Sequence, residues 1–163
     1  MTPDPAMFTS TTPEWYTPPE IIQSVIEVMG HIDLDPCSPQ TPTIPAGKHY
    51  TKEDDGLSQP WHGNVYMNPP YGREISRWVD YLVDEYCAWN IEQAIALVPA
   101  RTDTYWFNFL SGFPWCAVRG RLKFSGSKNS APFPSAIFYL GEKKEDFREE
   151  FSKWGRVFEE VKL

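Results

Sequence analysis

The chain has 163 residues, enough for one domain with a real core. No apolar run approaches a membrane span, no basic-then-apolar leader opens the chain, and the three Cys, without CxxC spacing, argue against a disulfide framework or structural zinc and fit a reducing cytosol. Lys and Arg total 15 against 22 Asp and Glu, a net charge of −7, so bulk charge does not draw this protein to a polyanion and any nucleic-acid contact needs a local patch.

Residues 1–16 are polar, contain proline and show no period, which predicts an N-terminal arm ahead of a single domain over residues 17–163. Thr17, with Pro18 behind it and Glu20 three residues on, reads as a capping box opening a helix whose apolar face is Ile21, Ile22, Val25, Ile26 and Met29, closed by Gly30. His31 to Asp35 reads as a short strand stopped by Pro36. Cys37 to Gly63 has no periodicity and is expected to be irregular, with at most a scrap of strand near Tyr50.

Asn64 to Met67 reads as a second strand, halted by Asn68-Pro69-Pro70-Tyr71-Gly72. Ile75, Trp78, Val79, Leu82, Val83 and Tyr86 recur at the helical period. Ala94 to Val98 is a continuous apolar run ended by Pro99, as expected of a buried parallel strand. Asp103 can cap a short helix carrying Trp106, Phe107 and Leu110. Trp115 to Val118, Arg121 to Phe124 and Ser135 to Leu140 read as strands, the last two joined by a Gly/Ser/Pro loop. Glu145 to Trp154 reads as a helix, and Val157 to Leu163 as a terminal strand. Trp78, Trp89, Trp106, Trp115 and Trp154 are expected in the core.

Strands alternating with helices imply a parallel sheet covered on both faces, with one antiparallel insertion late in the chain. Ligands of such sheets bind beyond the carboxyl ends of the strands. Asp35, Asn68 and Pro99 each follow or end a strand there, so all three are expected to face one crevice.

Asn68-Pro69-Pro70-Tyr71 carries the chemistry, although two prolines after a strand also make a plain rigid turn. The exocyclic amino group of an adenine is a poor nucleophile because its lone pair is delocalised into the ring. Two acceptors around its N–H bonds favour the more tetrahedral nitrogen needed for attack on a methyl group. The Asn68 side-chain oxygen and the Pro69 backbone carbonyl can be those acceptors, stiffened by Pro69 and Pro70. Tyr71 offers a π-face on which a base taken out of the duplex can stack. No strong base is required, and the three scattered His predict no metal site.

The Asn-Pro-Pro-Tyr motif resembles that of amino-directed methyltransferases. Trp15-Tyr16-Thr17-Pro18, Asp33-Leu34-Asp35-Pro36-Cys37-Ser38, Tyr50 with Glu53-Asp54-Asp55-Gly56-Leu57-Ser58, Trp61 with Asn68 to Gly72, and Leu97 to Asp103 occur here in one order. Together they resemble the phage-type DNA N-6-adenine methyltransferase (Dam) family, from roughly Thr9 to Leu140. The resemblance implies an α/β fold. It would be a single Rossmann-like class I methyltransferase domain with a mainly parallel sheet, an antiparallel C-terminal hairpin and a shortened stretch between the first strand and Asn68.

It also implies S-adenosylmethionine as cofactor, DNA as substrate, no membrane partner, and a cytoplasmic setting in a bacterial host, encoded by phage or prophage. Asp35 matches the acidic residue that holds the methionine or ribose part of the cofactor, flanked by Pro36. Trp15, Thr17 and Pro18 match the motif at the methionine end, though Thr17 is also explained as a helix cap. Asp54 or Asp55 matches the acceptor for the cofactor's adenine amino group, or else forms a solvated turn. Methyltransferases of this fold usually carry a Gly-rich loop after the first strand and two further strand–helix units before the Asn-Pro-Pro-Tyr motif; here Asp35-Pro36-Cys37-Ser38 and irregular sequence stand instead, so the wall around the cofactor's adenosine is expected to be reduced or built from loops between Cys37 and Gly63.

Arg119, Arg121, Lys123 and Lys128 form a local basic cluster. It is either a phosphate-contacting edge or a charged hairpin that blocks edge pairing. Arg101 can also reach a phosphate, and Phe124 or Phe133 can wall a base pocket or simply be core. Two rival functions stand beside DNA adenine methylation: methylation of a glutamine side-chain amide, and a non-catalytic binding relic of the fold.

Overall fold

The computed structural model describes residues 15–163, so most of the expected arm lies outside the described residues. Besides a 3-10 turn at Gly56–Ser58, the described residues form eleven α-helices and strands in chain order: helix α1 (Pro19–Met29), strands β1 (Ile32–Asp35), β2 (Ala46–His49) and β3 (Asn64–Met67), α2 (Ile75–Cys87), β4 (Gln93–Pro99), α3 (Tyr105–Leu110), β5 (Trp115–Val118), β6 (Ser135–Leu140), α4 (Lys144–Phe151) and β7 (Gly155–Phe158). They form one seven-stranded sheet in the order β2-β1-β3-β4-β6-β5-β7. β1 to β4 are mutually parallel and β6 runs against β4 and β5, so five strands point one way, with β6 and β7 reversed. This is the mixed α/β architecture of a Rossmann-like methyltransferase domain, with a parallel start and an antiparallel C-terminal part.

The two faces of the sheet are set by the period of two along each strand. Val65, Met67, Ala94, Ala96 and Val98 join the core under α2 and α3. Tyr66, Ile95, Leu97 and Ile137 join the core under α1 and α4. α1 turns its buried residues Ile21, Ile22, Val25, Val28 and Met29 to this second layer. At the amino edge of the sheet the Asn64 amide donates to the carbonyls of Met29 and His31, and Gln93 donates to Asn64, which stitches α1 and β1 to β3 and β4. No helix among the described residues is long and apolar enough to cross a membrane.

Several local expectations are corrected. Unlike those that follow, the expectation after β1 holds: the scrap of strand near Tyr50 is β2, which pairs in parallel with β1 through Ile32–Ala46, Leu34–Lys48 and Asp35–His49. Arg121 to Phe124 is not a strand. The place beside β6 is taken by β5, and the backbone around 121–125 bonds instead across its own loop, Ala131 to Leu122, and to the N-terminal segment, Ser125 to Tyr16. The last helix ends at Phe151, and the final strand lies at Gly155–Phe158, where it pairs with β5. Trp89 is 85% exposed, because it sits at positive φ in the turn after α2, beyond the helix's apolar stripe. Thr104, not Asp103, caps α3 by accepting from the Phe107 N–H.

Thr17 is not a cap either. The residue at the N-cap of α1 is Pro18, with no side-chain bond, and the Thr17 hydroxyl is spent elsewhere.

Candidate active site

β1, β3 and β4 all end at the same edge of the sheet, and their last or next residues are Asp35, Asn68 and Pro99. β6 begins there too, with Ser135 paired to Pro99. Three buried polar atoms along this edge have no hydrogen-bond partner: Asp35 Oδ2, Asn68 Oδ1 and Ser135 Oγ. Each orphaned buried group costs about 1–3 kcal/mol, and a row of them where the strands end is the mark of a site built to meet something else.

Asn68 is held with a defined orientation. Its amide nitrogen donates to the Trp15 carbonyl at 2.6 Å and to Thr17 Oγ1 at 3.3 Å. A carbonyl can only accept, so the NH₂ must face Trp15 and the oxygen must face the other way. That oxygen is the unpartnered one. Thr17 Oγ1 is in turn 2.6 Å from the hydroxyl of Tyr66, which is fully buried. Burial pushes the Tyr66 phenol far above its ordinary 10, so it stays a neutral hydroxyl. Tyr66 and Asn68 are two residues apart at the end of β3, so the strand's own alternation carries both toward the α1 side, where the segment 15–17 lies.

Asp35 is 1% exposed. One carboxylate oxygen accepts from the Cys37 N–H at 3.1 Å, and the other is bare. Burial raises its pKa to about 6, against the opposing pull of the Cys37 N–H and His49. The same burial, with Asp35 beside it, pushes the Cys37 thiol up. Pro36 is buried, and its carbonyl lies so near Gly56 that a Cβ there would stand 2.3 Å from it.

Pro69 is buried and Pro70 exposed, as expected of a turn braced on one side. Tyr71 is half-buried, with its hydroxyl donating to the Leu97 carbonyl at 3.5 Å. Its ring meets Phe133 at 5.4 Å and Phe124 at 6.5 Å, nearly perpendicular to both. Trp15 packs on the same two phenylalanines at 5.2 and 5.4 Å. Residues 119–134 thus fold over the turn and meet the N-terminal segment there, joined by the Tyr16–Ser125 bridge.

The structure brings together Trp15, Thr17, Asn68, Pro69 and Tyr71, with Asp35 on the neighbouring strand and Phe124 and Phe133 as a wall. Asp54 and Asp55 lie on an exposed turn after β2, outside this cluster. The Asp54 carboxylate accepts from the Thr51 N–H and hydroxyl, bonds that hold its pKa down. Arg101, Arg119, Arg121, Lys123 and Lys128 are all exposed, on the loops that leave the carboxyl ends of β4 and β5. The residues not anticipated are Tyr66 and Ser135. Tyr66 could have been found from its spacing of two from Asn68; Ser135 could not, because its position depends on the β4–β6 register.

A search of curated proteins returns no match. The family model described as DNA N-6-adenine-methyltransferase (Dam) matches residues 7–135, a span that takes in the N-terminal segment, Asp35, the Asn68–Tyr71 turn and the basic loop. With most of its length matched, the chain belongs to the DNA N-6-adenine-methyltransferase family.

Proposed function

We propose that the protein transfers a methyl group from S-adenosylmethionine to the exocyclic amino group of adenine in DNA. The observation that carries this reading is the Asn68 oxygen: buried, unpartnered, and held in that orientation by the Trp15 carbonyl. An amino group brought against it gives one N–H to Asn68 Oδ1 and the other to the Pro69 carbonyl. With both hydrogens drawn to acceptors, the nitrogen lone pair turns out of the ring and attacks the methyl carbon. With S-adenosylmethionine bound, its sulfur would keep the electrons of the carbon–sulfur bond as the methyl group moves, and the surplus proton on nitrogen would leave to water. Proximity and aim supply the rate enhancement, with no strong base at the turn.

The cofactor supplies a methyl group activated by a positively charged sulfur. The residues present fit it: the bare Asp35 oxygen accepts from a hydroxyl or ammonium, and Trp15, Thr17, Pro18 and Pro36 shape the adjoining wall. Thr51 takes only the Oδ2 of Asp54, so Asp54 through its other oxygen, or Asp55, is open to meet the adenine end. Tyr71, with Phe124 and Phe133, forms the aromatic surface for the turned-out base. Arg101 and the loop bearing Arg119, Arg121, Lys123 and Lys128 hold phosphates at the same edge. The three cysteines are free, as suits a reducing cytoplasm.

The test is transfer of radiolabelled methyl groups to DNA, with protein as the competing acceptor. Asn68→Ala should abolish transfer while costing only about 1 kcal/mol of stability, the loss of a part-exposed hydrogen-bonding side chain. Turnover at the wild-type rate by this variant, label in protein rather than DNA, or no heat of S-adenosylmethionine binding by calorimetry would each overturn the reading.

A further inference from the structure

A cavity of about 360 Å³ opens beside the Asn68–Tyr71 turn, between the start of α2 and the segment that follows β4. Gly72, Arg73, Ser76, Pro99, Arg101 and Thr104 line it. Gly72 has a φ of 144°, and a Cβ there would meet nothing within 4 Å, so the wall next to Tyr71 is open. Both arginines are exposed, and among the described residues neither guanidinium has a carboxylate within 4 Å. Arg77, Lys144, Arg148 and Lys153 each hold a glutamate, while the other lysines and arginines hold none among the described residues. What sets Arg73 and Arg101 apart is that both line one cavity, and two guanidiniums at one concave surface suit an anion.

The position of the cavity says which anion. Its apolar lining, Ile75 and Trp106, belongs to the core under α2 and α3. The basic loop packs its Phe124 and Ala131 into the core on the opposite face of the sheet. The turn that meets the target base therefore stands between two groups of cations. A nucleotide swung out of a duplex stays tied to a phosphate on either side, and both must be held for the base to stay in place. Next to the cavity, Tyr105 is 78% exposed and lies parallel to Phe109 at 6.3 Å, a flat surface on which a neighbouring base can rest.

We propose that this cavity is a phosphodiester site for the target strand. Arg73 and Arg101 grip the phosphate flanking the turned-out adenine on the α2–α3 side, while the 119–128 loop takes the phosphate on the other. This rests on the DNA-methylating reading above, which already gives Arg101 a phosphate, and adds Arg73 and the cavity as a contact separate from the 119–128 loop.

The experiment measures binding of a fluorescently labelled adenine-containing duplex by anisotropy across a series of salt concentrations, for wild type, Arg73→Gln, Arg101→Gln and the double variant. One neutralised phosphate contributes about 0.9 to the slope of log affinity against log salt, so the double variant should flatten the slope by about that amount and each single variant by part of it. The double variant should raise the KM for DNA at least about tenfold, with S-adenosylmethionine binding retained. Lys143→Gln, at the opposite edge of the sheet, should leave the slope as it is. A wild-type slope in the double variant, from a protein that still methylates DNA, overturns this inference and leaves the function intact. A wild-type protein that binds no DNA overturns both.

Discussion

Replacing Asp35 by Asn should make the ligand-free protein more stable and, at the same time, useless. The carboxyl's ordinary pKa is 3.8, and burial lifts it to about 6 in the folded chain. The sign follows from which state releases its proton first. Below pH 4 both states hold the proton and the group contributes nothing. Between about 4 and 6 the unfolded chain ionises while the folded chain resists, so stability falls as pH rises. Above about 6 the loss is complete, and it amounts to about 3 kcal/mol at about 1.4 kcal/mol per pKa unit. Asn keeps an oxygen for the Cys37 N–H and carries no charge, so it should recover most of that about 3 kcal/mol, a rise in Tm of roughly 6–12 °C for a chain of this size. The assay is urea unfolding of both proteins at pH 4.5 and 7.5, taking the difference between variant and wild type so that all other carboxylates cancel. S-adenosylmethionine should raise the Tm of the wild type and not that of the variant. A variant less stable than wild type at pH 7.5, or a gap between the two that does not widen with pH, would refute the reasoning about burial. A variant that binds cofactor normally would refute the role given to the bare oxygen.

The hydroxyl pair behind Asn68 should tune the rate. Tyr66→Phe and Thr17→Val each remove one side of the 2.6 Å contact, and should lower kcat about tenfold, about 1.4 kcal/mol, with KM for DNA little changed and Thr17→Ser close to wild type. Gly56→Ala should destabilise the fold by about 2 kcal/mol in urea unfolding, since the added methyl meets the Pro36 carbonyl and the Trp78 ring. Of the three thiols, Cys87 is exposed, Cys37 is held well above the usual thiol range, and Cys116 is pushed up to about 12. A thiol-reactive dye at pH 8 should therefore label Cys87 promptly and the other two only on unfolding.

Much of this was legible along the chain because it rests on local patterns. The helical period of α2, the apolar run of β4 and the prolines that stop the strands all report burial directly, and strand ends in a parallel sheet share an edge whatever their partners. The failures share a different cause. Arg121-Leu122-Lys123-Phe124 alternates like a strand, and Leu122 and Phe124 are indeed buried, but alternation says which side chains go inside and nothing about where the backbone finds its bonds. Ala46-Gly47-Lys48-His49, the scrap of strand expected near Tyr50, has no alternation and no branched residue, so its bounds come from the open side that β1 offers. Thr17 fits the spacing of a cap, but Tyr66 and Asn68, about fifty residues away, compete for its hydroxyl and win.

The Trp15 carbonyl has a practical consequence. The chain's early segment reaches across to the Asn68 amide and acts as a stop that prevents it from rotating. Deleting residues 1–16 would leave the sheet and the Asn68–Tyr71 turn covalently whole, yet free Asn68 to swap its oxygen for its nitrogen and present a donor where the proposed reaction needs an acceptor. Such a chain would also lose the Trp15 ring from Phe124 and Phe133 and the Tyr16–Ser125 bridge, so a trimmed clone would keep its sheet while losing both the aim of Asn68 and the seat of the 119–134 loop.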